Sequence, residues 1–244
     1  MVLTSRDEAS LFETVGASAA PERCAAIVAD VSSAAGCTQL AREASRTFGP
    51  IDILFNNAGL GPASIKANNV NDPYRFWEID WATLQDFHAV NSTAAVVLSG
   101  LLVPTMIKRG WGRIINSTTS LSTMLRFSAY GGSKASLEAH TACMANDLEG
   151  TGVTANVLVP GGVVATRMTS TLGFDEAQML LPEVMAAPSI WLASTASDQI
   201  NGRRYVAALW DATLSDKDAA EAAGAPVAWT GFGVQSLADP PKQS

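Results

Sequence analysis

Short runs of apolar and β-branched residues alternate along this chain with longer stretches of helical period, and that alternation sets the expected architecture. "MVLTS" reads as a strand and "RDEASLFETVGAS" as the helix after it. "RCAAIVADV" is the next strand, followed by the helix "AAGCTQLAREASRTF", which Ser32 or Ser33 caps and Gly49-Pro50 stops. "IDILFNNAG" reads as a buried strand ending in glycine. An irregular segment rich in aromatic residues (Tyr74, Phe76, Trp77, Trp81) leads into a long helix from about Thr83 towards Lys108. Then come the strand "GRIINSTT", a helix reaching about Leu148, and the strand "VTANVLVPGG". Residues from Val164 to Leu180 read as a flap, "PEVMAAPSIWLAS" as a helix, and "GRRYVAALW" as the last strand, before a frayed tail ending "ADPPKQS". Strands alternating with helices predict parallel βαβ units. No internal repeat or polar linker divides residues 1–244, so the expectation is a single doubly wound α/β domain of Rossmann type with helices on both faces.

Composition narrows the function classes. Apolar residues make up 48% of the 244 residues and charged residues 16%, enough for a large core. The longest apolar stretch, "AVVLSGLLVPTMI", is short for a membrane span and is interrupted by Pro104. Net charge is −7 with no cluster of Lys or Arg, which argues against nucleic acid as a partner. The opening "MVLTSRDEAS" does not read as a secretory signal. Cys24, Cys37 and Cys143 are odd in number and lack metal-ligand spacing, so reduced, buried thiols in a cytoplasmic protein are expected.

Chemistry concentrates where the strands end: Asp30-Val31, "NNAG" (Asn56 to Gly59), "NSTTS", and "PGGVVAT". In "SAYGGSKA", Tyr130 and Lys134 stand four apart, on one face of a helix. A tyrosine of ordinary pKa, about 10, is poorly matched to proton transfer at neutral pH, and a neighbouring cation favours its phenolate. His88 and His140 lack any partner motif and read as structural or surface helix residues.

These residues, with Asn91 in "AVNS", together resemble the short-chain dehydrogenase/reductase family over almost the whole chain, and within it the 3-oxoacyl carrier-protein reductases. The resemblance implies a Rossmann fold, a nicotinamide cofactor, a small-molecule ketone or alcohol substrate, and a homodimer or homotetramer. It assigns Tyr130 as the proton donor and acceptor, and Lys134 as the cation that lowers its pKa and holds the nicotinamide ribose. Asn91 opens a helix bulge and relays protons to lysine through water. The hydroxyl that orients the substrate oxygen falls on Thr119, then Ser120, with Ser117 a third choice because its distance from Tyr130 in sequence is the customary one. Asp30, Val31, Asn57, Ala58 and Gly59 line the adenosine side. Pro160 and Gly161, with Val163 or Val164 and Thr166, face the nicotinamide and phosphates. Ser5-Arg6 at the end of the first strand replaces the acidic residue that selects NAD, and a guanidinium suits the extra phosphate of NADP.

The resemblance is incomplete. "MVLTSRDE" begins where the family's second strand begins, and the family's first strand, TGxxxGIG-type loop and first helix have no counterpart in these residues. Three readings follow: an internal start within a longer enzyme, a short and catalytically weak product, or closure of "MVLTS" directly onto "IDILF". Weak cofactor binding and low stability are the expectations for the chain as written, with a non-catalytic binding protein as the alternative function. An epimerase or dehydratase is a further rival, disfavoured because too few residues follow Thr166 for a substrate domain. The flap residues Met168, Leu172, Phe174, Met179 and Leu180 suggest an apolar lining suited to a hydrophobic ketone or acyl chain.

Overall fold

The computed structural model describes residues 1–230. Its strands form two groups. β1 (Val2–Ser5) pairs with β2 (Ala25–Val28) alone, and β3 (Ile53–Asn56), β4 (Gly112–Ser117), β5 (Val153–Val159), β6 (Arg203–Val206) and β7 (Gly224–Pro226) form a five-stranded sheet in that order. Closure of "MVLTS" onto "IDILF" does not occur: β1 and β3 each keep an edge without a ladder. The expectation of a buried third strand is corrected for the same reason. On β3, Ile53 and Phe55 are exposed, whereas every residue of the interior strands β4 and β5 is buried.

The two groups are joined through helices. α1 (Glu8–Gly16) packs on β1 and β2. α2 (Ala34–Phe48) starts where the Ser33 hydroxyl accepts the Gly36 amide, and stops at Gly49, whose φ of 91° suits a residue without Cβ. Its apolar positions Cys37, Leu40 and Ala41 face one core with Leu98, Leu102 and Met106. Those last three belong to α4 (Ala94–Arg109), which continues α3 (Trp81–His88) through a π turn at Ala89–Thr93. The combined helix Trp81–Arg109 is long and apolar enough to span a bilayer, but half of its most apolar window is buried inside this fold. The second core gathers Ile115, Leu158, Trp191 and Tyr205 between β4–β6 and α7 (Ala186–Leu192).

Other expectations are corrected in detail. α8 (Asp216–Ala223) was not foreseen, and the sheet ends not with "GRRYVAALW" but with β7, which runs antiparallel to β6. A short α5 (Leu121–Met124) follows β4 before α6 (Ser128–Asp147). Cys37 is buried, but Cys24 is half-buried and Cys143 exposed, because Cys143 falls on the outer face of α6. His88 and His140 lie on exposed helix positions. The tail "ADPPKQS" lies outside the described residues.

Candidate active site

The site is assembled on the buried face of α6, where Tyr130, Lys134 and Glu138 follow one another at four-residue spacing. That face lies against the ends of β3 and β4, brought level by the pairing Asn56↔Asn116. The Asn56 amide donates to Asn116 Oδ1 at 2.8 Å, and the Asn116 amide to Thr141 Oγ1 at 2.8 Å. Polar side chains therefore fasten the strand tips to the helix.

Lys134 is buried, and its Nζ donates to the Ser117 carbonyl at 2.8 Å. Burial pushes its pKa down to about 8. Burial pushes the Tyr130 phenol the other way, up to about 12, opposed only by hydrogen bonding from the Thr119 side chain. The expected lysine-lowered tyrosine is thus corrected for the free protein: desolvation dominates, and Lys134 spends its proton on a backbone carbonyl. The phenol is therefore protonated at neutral pH, and giving its proton away requires a partner that stabilises the phenolate. The depressed Lys134 pKa has a stability consequence. Between pH 8 and its ordinary value of 10.5 the unfolded lysine binds the proton that the folded one has lost, so stability rises with pH across that window. Urea unfolding of the wild type at pH 8 and pH 10 should show a gain of about 1–3 kcal/mol that Lys134→Met lacks. A gain of the same size in the variant would contradict the burial of the amine.

Of the candidate hydroxyls, Thr119 is the one brought to Tyr130. Ser120 is diverted: its oxygen accepts the Thr123 amide and caps α5. Ser117 is buried and contributes its carbonyl to Lys134. Thr119 is itself held from behind. Arg204 of β6 donates through Nη2 to the Thr119 carbonyl and through Nε to Glu138 Oε1, both at 2.7 Å. The Thr118 hydroxyl donates to Glu138 Oε2 at 2.9 Å. Sequence reasoning missed this clamp; the four-residue continuation from Lys134 to a glutamate on a buried face was its available signal.

Asn91 sits in the π turn, buried. Its Oδ1 accepts the Leu60 amide at 2.6 Å, while Nδ2 donates to the Leu60 carbonyl and to Ser133 Oγ, each at 3.0 Å. The expected bulge is present, and the carboxamide pins the segment after β3. Gly59 lies directly above: a Cβ there would stand 3.2 Å from Asn91 Oδ1 and 3.5 Å from Lys134 Nζ, so this backbone passes closely over the lysine. Asn57 and Ala58 precede it on the exposed β3 tip.

The residues expected at the adenosine end divide. Arg6 and Asp30 line a cavity of about 500 Å³ with Val28, Ser33, Gly36 and Gln39. Hydrogen bonds from the Ser32 amide and the Ser32 side chain, with a smaller contribution from the Arg6 charge, keep the Asp30 carboxyl below its usual range. Gly36 is obligatory here, since a Cβ would collide with the Asp30 carbonyl. Val31 is buried in the core against α2, outside the lining of this cavity. Ser5 accepts the Asp7 amide, closing the turn before α1, and is also outside the lining. On the flap, the Val163 carbonyl accepts the Leu180 amide and the Val164 carbonyl accepts the Thr169 hydroxyl. Thr166 makes its contacts with Thr169. The Pro160 carbonyl accepts the Ala208 amide, and Gly161 (φ 91°) turns the chain away from the sheet. Arg167 reaches across to the Asp7 carboxylate at 2.6 Å, tying the flap to the start of α1.

Comparison with known proteins gives these features their context. Residues 1–177 match the family model for short chain dehydrogenases. The ketoacyl reductase HetN of Nostoc sp. is 36% identical over 172 residues, which cover 69% of this chain and 56% of HetN, so the chain spans little more than half of that relative. A 2-dehydro-3-deoxy-D-gluconate 5-dehydrogenase of Dickeya dadantii is 30% identical over 195 residues, covering 74% of this chain and 73% of its own. Among solved structures, a gluconate 5-dehydrogenase from Burkholderia cenocepacia in complex with NADP and tartrate superposes with a TM-score of 0.68 at 25% identity, over 84% of this chain and 82% of that one. A family match across most of the chain, joined to a relative of comparable extent, makes this protein a member of the short-chain dehydrogenase family.

Proposed function

We propose that the chain carries the site of an NADP-preferring oxidoreductase, which interconverts a ketone and a secondary alcohol with Tyr130 as the proton donor and acceptor. The observation that carries this reading is a neutral phenol and a buried amine on one face of α6, both set at the tips of β3 and β4. The residues present suit the two ends of a dinucleotide. The cavity beside Arg6 and Asp30 has the size and polarity for an adenosine, and Lys134, beneath the close-passing backbone of Gly59, offers a donor at the other end.

A nicotinamide cofactor held there supplies or receives hydride. The remaining work falls to this chain. In the reducing direction Tyr130 Oη delivers its proton to the carbonyl oxygen as negative charge develops on it. The Thr119 hydroxyl donates a hydrogen bond to that oxygen and fixes its position. Lys134, whose pKa of about 8 leaves it mostly charged at pH 7, stabilises the phenolate left behind, and Asn91 holds the Leu60 segment in place. In the oxidising direction the same groups collect the alcohol proton. Among rival readings, a non-catalytic binder would have no need of a buried lysine one helical turn from a tyrosine at the strand tips. An epimerase or dehydratase on this scaffold is separated by its lack of net redox change.

Nicotinamide absorbance at 340 nm, followed with a panel of ketones and alcohols, tests the reading, and the same assay reads the cofactor. NADPH is expected to exceed NADH in catalytic efficiency, and Arg6→Ser is expected to lower NADPH efficiency roughly 10–100-fold, the worth of a charge-assisted phosphate contact, with little effect on NADH. Preference for NADH in the wild type would overturn the assignment of Arg6.

A further inference from the structure

The flap, residues 164–180, is fastened to itself and to the segment before α3, but one of its charges is loosely held. The Ala165 amide donates to the Leu180 carbonyl at 2.9 Å and closes the flap at its root. Further along, the Thr171 and Leu172 carbonyls accept the amides of Asn68 and Val70 at 2.6 and 3.1 Å. Between these anchors, two consecutive side chains reach in different directions. Met168 rests on Gly61, where a Cβ would collide with its Cγ, and Gly61 lies just beyond Gly59, whose backbone passes over Lys134. Arg167 goes the other way: its Nη1 donates to Asp7 Oδ2 at 2.6 Å and to Ser10 Oγ at 3.0 Å. Asp7 directly follows Arg6, which lines the cavity that suits an adenosine. Adjacent flap residues therefore touch the two ends of the proposed dinucleotide site. What a dinucleotide carries between those ends is its diphosphate.

The contact that holds Arg167 is easily exchanged. Its side chain is 76% exposed and that of Asp7 38%, and ion pairs this open to water contribute little to stability. Asp7 does not depend on the guanidinium. Its Oδ1 accepts the Ser10 amide at 3.2 Å and caps α1, while its Oδ2 accepts the Ser10 hydroxyl at 2.6 Å. The hydroxyl bond, ahead of Arg167, holds the Asp7 carboxyl well below the usual carboxylate range. Asp7 thus stays ionised and hydrogen-bonded when Arg167 leaves. A diphosphate offers the planar guanidinium the same two-point acceptor with more negative charge.

We propose that Arg167 binds the diphosphate of the cofactor, and that the Asp7 carboxylate holds its place in the free protein until the phosphates exchange for it. The proposal rests on the dinucleotide site of the oxidoreductase reading. It gives the flap a charge that acts between Arg6 at the adenosine end and Lys134 at the other.

The two partners of one ion pair should then act in opposite directions. Calorimetric titration of the 244-residue protein with NADP and with adenosine 2′-monophosphate reads this without turnover. Arg167→Gln should weaken NADP about tenfold and leave the monophosphate, which has no diphosphate, unchanged. Asp7→Asn keeps a capping side chain on α1 and removes the competitor, so NADP should bind about threefold tighter. In the double variant that gain should vanish, because the guanidinium it released is gone. Weaker NADP binding by both single variants would mark a structural latch and overturn the proposal. So would an Arg167→Gln variant that binds NADP as the wild type does, or an equal loss for the monophosphate. A gain from Asp7→Asn that persists without Arg167, or a wild type that does not bind NADP, would overturn it as well. NADP binding that depends on Arg167, with no redox change on any ketone or alcohol of the panel, would refute the oxidoreductase reading alone.

Discussion

Tyr130→Phe should lower kcat for ketone reduction by about 10²–10⁴-fold while leaving KM and the fold nearly unchanged. The phenol that it removes is kept protonated by burial, with a pKa near 12, so the loss is of a proton donor and not of a charge that helps hold the fold. Thermal unfolding should accordingly show a shift of no more than a few degrees. The pH profile should separate this role from a merely structural one. Wild-type activity should change as Lys134 titrates near pH 8, and residual activity in the phenylalanine variant should lose that dependence because no phenolate remains for the amine to stabilise. Full turnover by the variant would remove Tyr130 as the acid.

The largest stability effect is expected behind the site, at Glu138. Its carboxylate is fully buried, takes the Arg204 Nε and the Thr118 hydroxyl, and through Arg204 fixes the Thr119 carbonyl. Glu138→Ala would strand a mostly buried guanidinium, and the destabilisation in urea should be about 3–5 kcal/mol. Glu138→Gln keeps a hydrogen-bonding group towards Thr118 and should lose less. A cycle with Arg204→Met should recover part of the loss in the double variant, because neither charge is then left unpaired. Equal losses in alanine and glutamine variants, with no coupling to Arg204, would mean that packing and not the ion pair holds this corner. Activity in the glutamine variant should fall in kcat more than KM rises, the signature of a displaced Thr119.

The legible part of the sequence was its periodicity and its punctuation. Ser33, one of the two candidate caps, and Gly49 bound α2, and the four-residue step from Tyr130 to Lys134 places both on the inner face of α6. Asn91 and its helix bulge came from the family resemblance, and the structure has a π turn at Ala89–Thr93. What escaped was set by contacts distant in sequence. That Lys134 would bond a carbonyl and leave Tyr130 to desolvation depended on β4 ending at the level of α6, which no local pattern encodes. Ser120 and Thr119 are indistinguishable as residue types, and only the short helix α5, which takes Ser120 as its cap, separates them. Glu138 and Arg204 lie 66 residues apart and meet only through the crossover from α6 to β6. The exposure of β3 followed from an edge left without a ladder, a property of topology that an apolar run such as "IDILF" does not reveal.

At the centre of the account is hydride moving to carbon while the phenol of Tyr130 delivers a proton to oxygen. Incubating the protein with NADPH deuterated at the transferring C4 position, together with a ketone that it consumes, and reading the alcohol by mass spectrometry and proton NMR measures this directly. One deuterium on the carbinol carbon is expected for each NADPH oxidised, with Tyr130→Phe slowing both in parallel. Product formed without deuterium or without NADPH oxidation would contradict it.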